Sequence, residues 1–183
     1  FDRADACIAQ MRSVNRTSLL ADLLEARSLL RQRKPQDAER LLAKALDRQP
    51  DNLEALGLMA SAAALMLQED RVSAILRRVE QIDPDNASVY YELGEQLSAM
   101  RQYPRSAAMY QVAIERAPWW TVPRNGLGLL YTQSGDEDEA RVVLSQARLM
   151  DPYNLRTTNY LRLLDDLDTF ARRETDHFRV LYD

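Results

Sequence analysis

Residues able to carry chemistry are scarce in this 183-residue sequence. There is one cysteine, Cys7, and one histidine, His177. A lone cysteine excludes an intrachain disulfide framework and a thiolate metal site. Cys7 is therefore expected as a small residue, buried or half-buried. A lone histidine has no second His or Cys with which to hold zinc or build a catalytic pair, so His177 reads as structural or superficial. Only five glycines are present. No Gly-rich phosphate loop, nucleophile elbow or dinucleotide fingerprint can be traced. The expectation is no catalytic residue, no cofactor and no metal.

Lysine is nearly missing too. Of the 24 basic residues only Lys34 and Lys44 are lysine, which fits the codon bias of a GC-rich bacterial genome. The arginines are scattered and the net charge is -4. Phosphate contacts need clustered cations, so nucleic acid is not an expected partner. Leu56–Leu67, the longest apolar stretch, is too short to span a bilayer, and no membrane insertion is expected. The chain begins at Phe1 rather than Met, so the lack of a leader decides nothing about compartment, and a bacterial cytoplasm or periplasm is equally compatible. The densest acidic cluster, Asp165, Asp166 and Asp168, has no glycine turn to wrap a cation and reads as a solvated face.

What the chain does have is a period. Pro50, Pro84, Pro118 and Pro152 stand 34 residues apart. Three of them sit in similar tetrapeptides, Gln49–Asn52, Asp83–Asn86 and Asp151–Asn154. Proline stops a helix, and asparagine caps the next by accepting a backbone N–H. With Leu19 as position 1, position 8 holds Ala26, Ala60, Gly94 and Gly128, and position 20 holds Ala38, Val72, Ser106 and Ala140. Position 24 is Leu42, Leu76, Tyr110 and Leu144, and position 27 is Ala45, Val79, Ala113 and Ala147. Small residues at 8 and 20 let two antiparallel helices approach closely, and the larger apolar residues fill the space between them. The period predicts an all-α solenoid of helix pairs.

The pattern resembles the tetratricopeptide repeat (TPR) family. The third copy carries Tyr90, Leu93, Gly94, Leu97, Tyr103, Ser106, Tyr110, Ala113 and Pro118 where that family has its signature. Gly135–Ala140 resembles the family's turn into its second helix. The resemblance implies a right-handed superhelix of antiparallel helix pairs, with repeats at 19–52, 53–86, 87–120 and 121–154. Residues 1–18 are expected as a degenerate N-terminal helix, or the second helix of a truncated repeat. Residues 155–170 read as a capping helix, whose Arg162 at position 8 is too large for a tight helix crossing. Residues 171–183 read as a tail. His177–Tyr182 is strand-like with no evident partner in the chain. Residues 174–180 resemble the first strand of the gluzincin metallopeptidase domain that follows some TPR arrays. Its His-Glu-x-x-His motif is absent, so any catalytic domain would lie beyond Asp183.

In the TPR family the concave face is lined by positions 2, 5, 9, 12 and 13 of each first helix. The resemblance thus points to a peptide-binding groove of Leu23, Arg27, Arg31, Gly57, Ser61, Leu65, Tyr91, Glu95, Asn125 and Leu129. Gly57, Ser61 and Leu65 are expected as a smooth apolar floor. Arg27 and Arg31 stand to one side, Glu92 and Glu95 to the other. The chaperone-binding subgroup clamps a carboxylate with Lys and Asn at positions 5 and 9. Leu23 and Arg27 hold those places, so the clamp is not carried over. Trp119 and Trp120 replace the usual polar pair, one expected to pack and one to be exposed. The leading expectation is a non-catalytic scaffold that takes a protein or peptide ligand in its groove. Alternatives are the partner- or substrate-presenting region of a larger zinc metallopeptidase-like protein, and self-association as a weak homodimer.

Overall fold

The computed structural model describes residues 2–182 of the chain. Among them are ten helices: α1 Asp2–Val14, α2 Leu19–Arg31, α3 Pro35–Arg48, α4 Leu53–Leu65, α5 Glu69–Ile82, α6 Ser88–Ala99, α7 Tyr103–Arg116, α8 Thr121–Ser134, α9 Glu137–Met150 and α10 Leu155–Asp168. Two short strands follow, β1 Ala171–Glu174 and β2 Arg179–Tyr182. The fold is an all-α repeat fold of helix pairs. It divides into two compact units, Phe1–Ala117 and Pro118–Asp183.

Helix starts and stops follow the 34-residue period. Asn52 accepts from the backbone N–H of Ala55 at 2.8 Å, Asn86 from Val89 at 3.0 Å and Asn154 from Thr157 at 3.2 Å. Trp120 stands at the equivalent place and gives α8 no side-chain cap. Within each pair the first helix ends on a left-handed residue: Arg33, Leu67, Arg101 and Gly135. In the first three, two bonds close the turn. The amides of Lys34, Gln68 and Gln102 reach back to the carbonyls of Leu29, Ala63 and Leu97, at 2.9, 3.0 and 3.0 Å. The amides of Arg33, Leu67 and Arg101 bond those of Leu30, Ala64 and Ser98. This is the Schellman arrangement, which satisfies orphan carbonyls and forces φ above zero. Only the fourth copy uses glycine there.

The small residues sit at tight crossings. Gly94 faces the ring of Tyr110, where an added Cβ would lie 3.0 Å from ring carbons. The hydroxyl of buried Ser106 donates to the Gly94 carbonyl at 2.7 Å. In the second unit an added Cβ on Gly128 would lie 2.5 Å from Leu144. Ala38, Leu42, Ala45, Val79, Ala113, Ala140, Leu144 and Ala147 are fully buried.

Successive repeats of the first unit are tied at one recurring place, where positions 4 and 30 of a repeat meet position 28 of the repeat before. Arg48 and Arg12 both pair with Asp22, Arg12 at 2.9 Å. One repeat later the same three places hold Leu46, Leu56 and Ile82, an apolar cluster. One repeat further, the Tyr90 hydroxyl donates to Glu80, and Arg116 pairs with Glu80 and lies 4.2 Å from the centre of the Tyr90 ring. The hydrogen bond from Tyr90 and the pairing with Arg116 hold the Glu80 carboxyl below its usual range. Burial and that same bond push the Tyr90 hydroxyl up to about 12. Ionic, apolar and mixed chemistry thus serve one geometric joint.

In the second unit α8 and α9 pair, and α10 packs Leu161 and Leu164 against Ala140 and Leu144. Arg162 is exposed, and no helix follows α10 among the described residues against which position 8 could pack. Asp165 and Asp168 are not merely solvated: Arg141 reaches both, at 2.5 and 2.6 Å. Two further expectations need correction. The strand-like tail does have a partner, since β2 pairs antiparallel with β1, Ala171 opposite Tyr182 and Arg173 opposite Val180. Ala171–Glu174 was not legible as a strand because its charged residues lack alternation. Cys7 is exposed rather than buried, because α1 turns Ile8 inward instead.

Candidate functional site

Three first helices of the first unit, α2, α4 and α6, carry the positions expected to line a groove. Their middle member differs from its neighbours. In α4 every residue from Ala55 to Ala64 is buried. Gly57 lies against Val89 of α6, with an added Cβ meeting Val89 Cγ2 at 3.3 Å. Ser61 is 1% exposed, and its hydroxyl has no hydrogen-bond partner among the described residues. Side chains this small leave room for longer ones from α2 and α6 to meet. Arg27 of α2 donates through Nε to Glu92 Oε1 at 3.3 Å and through Nη2 to Glu92 Oε2 at 2.9 Å. It also pairs with Glu54 at 3.3 Å. Partial burial alone would lower the Arg27 pKa, but the bonds and charges of Glu92 and Glu54 outweigh it, and the pKa is raised. At the other end Arg33 donates to the Ala99 carbonyl at 3.1 Å.

Between these two bridges lies a cleft of about 550 Å³ lined by Arg27, Leu30, Arg31, Arg33, Tyr91, Glu92, Glu95, Gln96 and Ala99. A smaller cavity of about 190 Å³ adjoins Leu53, Glu54, Gly57, Ser88 and Val89. Arg27 and Glu92 line both cavities.

Both acids of the larger cleft are engaged. Glu92 holds Arg27, and Glu95 accepts from the Tyr110 hydroxyl. Burial, then that bond to Glu95, drives the Tyr110 pKa well above the usual tyrosine value. The Tyr91 and Tyr110 rings lie 6.0 Å apart and tilted. Arg31 is exposed and has no ion-pair or hydrogen-bond partner among the described residues. Glu95 keeps its charge beside the neutral Tyr110 hydroxyl, and three arginines, Arg27, Arg31 and Arg33, stand against two glutamates in the lining.

Of the expected groove residues, Arg27, Arg31, Tyr91 and Glu95 come together around this cleft. Leu23 and Ser61 do not line it. Leu23 is 3% exposed and belongs to the core cluster with Ala26, Leu58 and Met59. The expected open floor of Gly57, Ser61 and Leu65 is therefore a correction. Ser61 is covered, Gly57 is buried against Val89 and meets only the smaller cavity, and Leu65 is half-buried beside a separate hollow with Arg33, Pro35 and Gln68. Arg33 and Gln96, which the family positions did not suggest, do line the cleft. Arg33 could have been found by noticing that it shares position 15 with Gly135. Asn125 and Leu129 lie on α8 in the second unit, both half-buried. The Asn125 side chain accepts from the buried Thr157 hydroxyl at 2.6 Å. Trp119 is 77% exposed, and Trp120 is half-buried.

Among the described residues no group of three or more His, Cys, Asp and Glu is arranged to hold a metal. His177 lies exposed between β1 and β2. No helix among the described residues is long and apolar enough to cross a membrane.

Residues 29–97 match the family model described as tetratricopeptide repeat. Among solved structures the chain is similar to a thermophilic TPR protein of Thermus thermophilus, at 18% identity over 91% of this chain and 92% of that one, with a TM-score of 0.67. It is similar to MamA of Desulfovibrio magneticus RS-1, at 20% identity over 81% and 84%, TM-score 0.54. It is also similar to YrrB, a TPR protein with an unusual peptide-binding site, at 12% identity over 88% and 84%, TM-score 0.53. At such identities these likenesses establish the fold. No curated protein matches the chain in sequence.

Proposed function

The chain carries a tetratricopeptide-repeat region, and from that premise we propose that it is a non-catalytic interaction scaffold whose α2–α6 cleft takes a polypeptide segment bearing acidic side chains. The observation that carries this reading is the charge state of the cleft. Three arginines and two glutamates line it; Glu92 is paired with Arg27, while Arg31 and Arg33 have no carboxylate partner among the described residues. Leu30, Tyr91 and Ala99 supply apolar surface beside it. Apolar anchors set affinity in such a groove, and flanking charge sets orientation. That YrrB has a peptide-binding site on a similar fold is consistent with this use of the architecture.

A fluorescein-labelled peptide of alternating Glu and Leu tests it by anisotropy. Arg31→Glu weakens binding about three- to tenfold at low salt, and the loss shrinks as salt screens an exposed charge. Equal binding by wild type and Arg31→Glu places the ligand elsewhere.

A second reading has one observation in its favour. The β1–β2 hairpin is a two-stranded sheet with Phe178 73%, Val180 49% and Tyr182 50% exposed. Isolated hairpins are marginal in water, and this one suits a sheet that other strands complete, as a following metallopeptidase-like domain would provide. A gene continuing past Asp183 without a His-Glu-x-x-His motif removes this reading.

A further inference from the structure

We propose that the Arg27–Glu92 pair is an ionic latch on the cleft, which an acidic ligand opens by taking Glu92's place on Arg27. This regulation rests on the α2–α6 cleft being the binding site. Four observations converge on it. The pair joins two helices that flank α4, and it does so through side chains alone, across a surface kept low by Gly57, Ser61 and Ala64. Arg27 and Glu92 are shared by both cavities, so the pair is a partition between them. The cavities are about 550 and 190 Å³, and opening the partition joins them into one channel along α4. The pair is also half-exposed, at 31% and 27% of the two side chains, so water and ions reach it. Exposed pairs bias an equilibrium by no more than about fivefold, which makes this one weak enough to exchange.

The exchange itself is an ion-pair swap. The guanidinium keeps two hydrogen bonds to a carboxylate before and after, and Glu92 is released to solvent. Glu54, 3.3 Å from Arg27, holds the guanidinium in place while its partner changes. Arg31 lies one helical turn further along the same wall, so a second ligand carboxylate has a cation waiting. Latch and attraction therefore use one chemistry: an acidic segment is drawn to Arg31 and competes for Arg27. An apolar or basic segment meets a closed partition.

The test reads the α2–α6 distance and the affinity separately. Spin labels on Leu20→Cys and on Asp85→Cys, exposed just ahead of α6 and outside both cavities, in a Cys7→Ser background, report the distance by pulsed electron resonance. Circular dichroism checks that each variant is folded. The latch predicts longer distances on raising NaCl from about 20 to about 500 mM, which screens the pair. It predicts the same on introducing Glu92→Gln, and on adding the Glu-Leu peptide to wild type. At low salt Glu92→Gln binds the peptide more tightly, by up to about fivefold. Identical distance distributions in wild type and Glu92→Gln at both salt levels overturn the latch. Longer distances in Glu92→Gln without tighter binding overturn the exchange. Failure of the site itself looks different: the peptide binds wild type, Arg31→Glu and Glu92→Gln alike and leaves the distance unchanged. The latch then falls with the site.

Discussion

Helices α4 and α6 occupy the same place in consecutive repeats and present opposite surfaces. Position 9 is Ser61 in α4 and Glu95 in α6. Ser61 is 1% exposed, while Glu95 is exposed at the rim of the cleft with Tyr110 as its donor. In isolation the small residues of α4 suggest a channel floor, and the larger residues of α6 suggest a wall. The structure inverts the first expectation. Small side chains in the middle of three helices bring the outer two within reach of each other, and Arg27 and Glu92 meet above them. Whether a repeat position faces ligand therefore depends on the size of the residues on either side of it.

The comparison predicts unequal responses to substitution. Ser61→Arg places a charge where no water reaches, and it is expected to cost about 3–5 kcal/mol. Glu95→Gln, at the matching position, keeps an acceptor for Tyr110 and costs less than about 1 kcal/mol. Chemical denaturation of both variants checks this, and similar midpoints would show that Ser61 is not closed over.

The glycines sharpen the contrast. Gly94→Leu drives a side chain into the Tyr110 ring and costs about 1–3 kcal/mol or more. Gly57→Ala meets the tip of Val89, which can give by a few tenths of an ångström, while helix propensity improves by about 0.5–1 kcal/mol. Its net effect is within about 1 kcal/mol. Thermal melts decide, and equal losses in the two would mean that α4 packs as tightly at Gly57 as α6 does at Gly94.

The smallest effect belongs to the turns, where the two repeats are alike. Leu67 and Arg101 both hold φ of 58°, a conformation that costs an L-residue roughly 1–2 kcal/mol. Leu67→Gly and Arg101→Gly each relieve that strain, offset by the greater freedom glycine gives the unfolded chain. A gain of up to about 1 kcal/mol is expected in each, read as a raised denaturation midpoint. Loss of stability in one alone would show that its side chain packs.

Much of the fold was legible because a solenoid repeats its constraints. Proline stops, asparagine caps and small residues at positions 8 and 20 recur every 34 residues and reinforce one another. What escaped lies outside the period or depends on side-chain reach. Ala171–Glu174 is a strand only because β2 pairs with it. Arg33, Leu67 and Arg101 adopt a conformation that glycine usually marks, and only Gly135 announced it. In the candidate site, Arg27, Arg31, Tyr91 and Glu95 followed from family positions. The burial of Leu23 and Ser61 did not: Leu23 packs into the core with Ala26, Leu30, Leu42 and Leu58, and α4 is buried along its whole length from Ala55 to Ala64.

Site-specific photocrosslinking tests most directly whether partners enter between α2 and α6. A photoreactive phenylalanine replaces Gln96 on the cleft wall in one variant and Arg77, exposed on α5, in another. Each is irradiated in native lysate. A ligand held in the cleft gives protein adducts from position 96, lost on Arg31→Glu, and none from position 77. Adducts from position 77 alone, or from both positions irrespective of Arg31, would contradict the cleft as the binding surface.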